Sequence, residues 1–280
     1  MDSAGAGTAA VGAVADRMRR LTAGLPPGDG VAVFTSVYVE VTGEVAGRLA
    51  AGGFADSAMA AELAVRFAGR YLAAVEDDAR GREVPACWRP LLRMRAHRDI
   101  HPVQFALAGI NAHVGHDLAL AVVDTARATG AEPAALAADF DRVGEILTDI
   151  EMRVREALMP GPDLLDLADP LTHIVGSWSL DRARDAAWAA ARLLWALRGA
   201  DDAYAECVVR LDAGVGLIGR FLLTPVRRRR PALGRPVPES PVPERPVPER
   251  PVPERPTPKR RVTERPGCQS SGSNTGAISS

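Results

Sequence analysis

The stretch PVQFALAGINAHVGHDLALAVVDTARATG, Pro102 to Gly130, limits the possible folds more than any other part of the chain. Aliphatic and aromatic residues fall on nearly every side of the helix it predicts, the pattern of a helix buried on most of its circumference. Such a helix belongs in the middle of a domain, with others packed round it. Yet its centre carries Asn111, His113, His116 and Asp117. Burying four polar side chains costs several kcal/mol unless each finds a hydrogen bond, a charge or a metal. That conflict marks the candidate site.

The rest of the chain supplies the surrounding helices. Val11, Val14, Met18 and Leu21 keep helical spacing until Pro26 and Pro27 stop it. Asp29 is placed to cap a second helix whose core face is Phe34, Val37, Val41, Val45 and Leu49, ended by Gly52 and Gly53. Met59, Leu63, Phe67 and Tyr71 carry a third. Pro85 starts a short fourth helix, CWRPLLRMRAHRDI, which Pro102 closes while opening the central one at a position where proline is tolerated. Pro133 starts another, lined by Leu136, Phe140, Val143, Leu147 and Ile150. After the turn-rich MPGPDLLDLADP, the chain passes His173 and Trp178. Ser179 then caps a helix with Trp188, Leu194 and Trp195, and a last helix runs from Tyr204 to Leu223. No segment keeps strand alternation, so the predicted class is all-α: one multi-helix bundle over residues 8–225.

Residues 1–7 read as a disordered leader, and residues 226–280 as a disordered tail of Arg227 to Arg230 followed by PVPER-type pentads. Proline at every second or third place removes backbone donors and favours polyproline II, so such a tail packs no core. It serves as a solubilising extension or as a docking arm for a protein partner. The net charge of -1 gives no overall basic field for nucleic acid. Cys87, Cys207 and Cys268 fit neither a disulfide framework nor a cysteine zinc site. With no signal-peptide pattern and no uninterrupted apolar run of a membrane span's length, the expected location is the cytoplasm.

Residues three and four apart share a helix face, so the spacing predicts a cluster of His113, His116 and Asp117. Imidazole and carboxylate at that spacing can hold zinc, iron or manganese if other helices add ligands. Glu40 or Glu44, His101, His173, and one of Asp141, Glu145 and Asp149 are the candidates. A metal-free site is equally coherent, with Asp117 orienting His113 as a proton carrier and Asn111 binding substrate or fixing the histidine. Trp178, Glu40, Glu44 and His173 are candidate substrate contacts. The remaining alternative is a buried polar network that locks the bundle.

Three resemblances bear on function. The doublet His116-Asp117, preceded by His97 or His101, is similar to that of HD-type metal-dependent phosphohydrolases, which are also helical. Asp201, Asp202 and Glu206 in DDAYAE look like the magnesium motif of class I terpene synthases, although two aspartates also suit a helix start. The broadest resemblance runs from about Phe34 to Leu223 and rests on FTSVYVEVTGEV, FADSAMAAELAVRFAGRYLAAV, CWRPLL and GINAHVGHDLALAV. These blocks resemble the bacterial DUF5995 family, which is of unknown function. The resemblance implies a shared helical fold and puts Asn111, His113 and Asp117 in the family's signature, with His116 at a variable position. The expectation is a small-molecule enzyme acting on an apolar or partly apolar substrate. An HD-like phosphohydrolase or a non-catalytic binding or scaffold protein is the alternative.

Overall fold

The computed structural model describes residues 3–158 and 170–226, and among them every regular element is helical. In chain order the helices are α1 (Ser3–Thr22), α2 (Gly30–Ala50), α3 (Ser57–Ala79) and α4 (Arg89–Met94). Next come α5 (Pro102–Ala112), a π-helical turn (His113–Asp117) and α6 (Leu118–Thr129), which together form one continuous central helix. A 3-10 turn (Pro133–Leu136) leads into α7 (Ala137–Leu158), followed by α8 (Pro170–Ser177), α9 (Leu180–Ala196) and α10 (Asp201–Leu222). The all-α expectation holds. The leader does not: Ser3 to Gly7 belong to α1, which passes so close to α3 that a Cβ on Gly7 would lie 2.8 Å from the Ala61 Cβ. The PVPER tail and the MPGPDLLDLADP loop lie outside the described residues, apart from Pro170, which opens α8, and Val226, whose N–H donates to the Asp99 carbonyl at 2.9 Å.

Local chemistry sets the helix ends. The Asp29 carboxylate accepts from the N–H of Val31 at 2.8 Å and of Ala32 at 3.4 Å, capping α2. It also pairs with Arg95 at 2.7 Å, fixing the start of α2 against the end of α4. Asp56 caps α3 and Ser179 caps α9 in the same way. Gly130, at φ 68°, takes the left-handed conformation that ends the central helix.

The central helix has the length and hydropathy to cross a membrane, but 89% of its most apolar window is buried inside the fold, so it is a core helix. Helices α2 and α10 pack on its first half, and α3 and α9 on its second. Small residues let these helices approach. Phe34 of α2 occupies the space above Gly109, where a Cβ would meet the phenylalanine ring at 2.3 Å. On the other side Gly216 of α10 sits against the Ala86 carbonyl, where a Cβ would meet oxygen at 2.6 Å. The π-helical turn at the polar centre of the helix packs against α9, α3 and α10.

Candidate functional site

The site forms where the central helix widens. Over His113–Asp117 the backbone makes a single π-helical turn, a distortion that often accompanies functional sites. The extra residue in the turn changes the geometry predicted by helical spacing. His113 and Asp117 still meet, His113 Nδ1 lying 3.0 Å from Asp117 Oδ2. His116 meets the same carboxylate from the other side, its Nδ1 lying 2.8 Å from Oδ1. Trp88 adds a third bond, its indole Nε1–H donating to Oδ2 at 3.0 Å. A carboxylate only accepts, so each imidazole presents Nδ1–H to it and, when neutral, keeps a lone pair on Nε2.

Asp117 is therefore the hub of the site, fully enclosed and held by three donors. Burial pushes its pKa up, but the bonds from His113 and His116 outweigh that and leave the carboxyl below its ordinary value. Burial holds the His113 imidazole below its ordinary value despite the opposing pull of Asp117, so at neutral pH the ring is uncharged.

The two histidines point into different surroundings. The His113 ring lies flat on Phe67, centroids 3.5 Å apart, with Tyr38 edge-on at 4.4 Å. Phe34, Tyr71 and Trp88 complete an aromatic shell about 6 Å away. Its Nε2 is buried and has no hydrogen-bond partner, one of two such atoms among the described side chains, the other being Thr125 Oγ1. His113, Tyr38 and Phe67 line an apolar cavity of about 80 Å³ enclosed by α2, α3, the central helix, α7 and α9. Among the described residues, Arg184 is the one cation on its wall. Its guanidinium donates to the Phe140 carbonyl at 2.8 Å and covers the Phe140 ring, in space left by Gly144. Burial, reinforced by Asp117, raises the Tyr38 phenol well above its usual pKa, so it stays protonated.

His116 instead faces Cys87 and Asp212, with Nε2 4.0 Å from Asp212 Oδ1. The expected ligand set His113, His116 and Asp117 does not converge, because both inner nitrogens are spent on Asp117 and the outer ones diverge. The HD-type reading meets the same obstacle, since His116 spends Nδ1 on Asp117 and its Nε2 lies on the side of Asp212.

The remaining expected residues scatter. Asn111 lies on the opposite side of the helix from His113; its Nδ2 donates to the Val215 carbonyl at 3.0 Å and its Oδ1 accepts from Trp178 Nε1 at 3.3 Å. Those bonds tie α10 and the end of α8 to the core, away from the cavity. Glu40 is exposed and paired with Arg153 at 3.0 Å, while Glu44 and His173 are exposed. His101 is buried at the start of α5, where its backbone N–H donates to Gln104 Oε1. Glu145 pairs with Arg48, Asp141 is exposed, and the Asp149 side chain lies outside the described residues. Asp201 and Asp202 open α10 as exposed first-turn acids.

Trp88, Phe67, Tyr38, Cys87, Asp212 and Arg184 were not legible as site residues. Two signals were present: Cys87-Trp88 begins two residues after Pro85, and Asp212 is a lone acid in the apolar run of the last helix.

An all-helical bundle that buries a His–Asp pair beside an apolar cavity is the class the fold and site define. The sequence profile of the family of unknown function DUF5995 matches residues 11–225, and the chain belongs to that family. No curated protein and no solved structure matches it.

Proposed function

We propose that the bundle is a small-molecule enzyme in which His113, oriented by Asp117, moves a proton on an apolar substrate group held in the cavity. The observation that carries this reading is the unpartnered, buried Nε2 of His113 on a ring that lines the cavity. A structural network would satisfy that nitrogen, because an orphaned buried polar atom costs about 1–3 kcal/mol. A catalytic base needs it free.

The division of labour follows from the bonds. Asp117 fixes the tautomer with the proton on Nδ1, leaving the Nε2 lone pair to accept a proton from substrate. The imidazolium so formed gains a charged partner in Asp117, which offsets the burial that keeps the resting ring neutral. Tyr38, still protonated, is the donor on the same wall for oxygen that gains negative charge. Asn111 and Trp178 support the helix instead of touching substrate. At about half the volume of a cavity that takes benzene, the space suits a short alkyl group or a chain end. Isomerisation, elimination and cyclisation are the reactions that such a proton carrier serves.

The test is incubation of the full chain in D2O with small apolar ketones, esters and alkenes, read by mass spectrometry. Wild type is expected to convert at least one compound or exchange one of its hydrogens, with His113→Gln slower by about 10²–10⁴-fold. Compounds that raise the melting temperature of wild type without exchange or turnover would make this a binding protein instead.

A further inference from the structure

The second histidine carries a separate inference. Cys87 in the turn before α4, His116 in the π-helical turn and Asp212 on α10 bring one ligand atom each within 4.8 Å of one another. No other trio of His, Cys, Asp and Glu does so among the described residues. His116 Nε2 lies 4.0 Å from Asp212 Oδ1, too far for a direct hydrogen bond, with the Cys87 sulfur completing the trio. Neither Asp117 nor Asp212 has an arginine partner among the described residues.

We infer that Cys87, His116 and Asp212 form a zinc site that joins α10 to the central helix and to the turn before α4. A thiolate, an imidazole and a carboxylate suit zinc's borderline softness, and three protein ligands leave a fourth position for water. Zinc–ligand bond lengths of this kind put tetrahedral ligand atoms roughly 3.3–3.8 Å apart. The cluster therefore closes onto the ion by side-chain adjustment of about 1 Å or less.

Its supporting bonds are those a metal ligand requires. His116 donates its other ring N–H to Asp117, the carboxylate–histidine–metal arrangement that orients an imidazole. Asp212 accepts from the N–H groups of Ala86 at 2.7 Å and Cys87 at 2.8 Å, and each oxygen keeps a further lone pair. On binding, the Cys87 S–H bond breaks, a sulfur–zinc bond forms, and the proton leaves to solvent with no change of oxidation state. This site lies on the other side of Asp117 from the cavity and shares that carboxylate with it.

Cobalt substitution tests it. The full chain, free of any histidine tag and stripped by chelator, is titrated with Co2+ under reducing, anaerobic conditions. The expected result is one equivalent bound, with tetrahedral visible bands and a thiolate-to-cobalt charge-transfer band, both displaced by Zn2+. The double variant Cys207→Ser/Cys268→Ser, with Cys87 as its sole thiol, keeps the charge-transfer band, Cys87→Ser loses it, and Asp212→Asn weakens binding by about tenfold or more. Absence of the band in wild type, or its persistence in Cys87→Ser, overturns the assignment. If Cys87→Ser does not fold, the double variant decides: a band there supports the site, and no band overturns it.

Discussion

The His113 imidazole and the Phe67 ring are stacked face to face, centroids 3.5 Å apart and planes within 5° of each other. Phe67 thus shields one whole face of the proposed base, and that shielding contributes to the burial that keeps the imidazole neutral. Phe67→Ala is expected to lower stability by about 2–4 kcal/mol and to raise the His113 pKa towards its ordinary value. Urea unfolding and an NMR titration of the histidine ring protons check the two parts.

Asp117 holds three N–H groups that have no access to water. Asp117→Ala leaves Trp88, His113 and His116 each with an unsatisfied donor, and the expected loss is about 3 kcal/mol or more. Glu44→Ala, on the exposed face of α2, is expected to stay within about 0.5 kcal/mol of wild type. Parallel urea titrations of the two variants give the comparison.

The depressed pKa of His113 fixes the sign of one pH effect. The unfolded chain protonates this residue near its ordinary value of about 6.5, whereas the folded chain resists until the pH is lower. Below that value the unfolded state therefore binds more protons and stability falls with falling pH; above it this contribution is complete. Wild-type stability is expected to drop as the pH falls below about 6.5, with a smaller drop in His113→Gln. Unfolding midpoints measured across that range show the difference.

Gly109→Ala places a methyl group within 2.3 Å of the Phe34 ring and 2.8 Å of its Cβ, so the whole phenylalanine must move. Phe34 is wedged edge-on against Tyr71 and tilted against Trp88, centroids 5.0 and 5.5 Å away. The expected cost is about 1–3 kcal/mol, with altered near-ultraviolet circular dichroism from the tryptophan and tyrosine rings. A melting curve followed in that region reports both.

Much of the architecture is written in local signals. Asp29, Ser179, Pro102 and Gly130 act on residues within a few places of themselves, so the helix ends they set can be read from the chain. The pairing of His113 with Asp117 is legible for the same reason, being a contact within one turn. The divergence of His113 and His116 was not, because nothing in HVGHD announces a π-helical turn, and ordinary helical spacing puts both on one face. The aromatic shell depends on which helices pack together: Phe34 and Tyr38 come from α2, Phe67 and Tyr71 from α3, and Trp88 from the turn before α4. Glu40, Glu44 and His173 are chemically suited to a site, and only the packing turns them to solvent. Asp212 lies 96 residues beyond His116 in the sequence, too far for any local pattern to connect them.

The central claim, a neutral His113 with an available Nε2, is tested most directly by nitrogen-15 NMR of the histidine side chains at neutral pH. The expected spectrum gives His113 a protonated Nδ1, hydrogen-bonded to Asp117, and an unprotonated Nε2. A proton on Nε2, in either the other tautomer or the imidazolium, would contradict a free base in the cavity and leave His113 as part of a structural network.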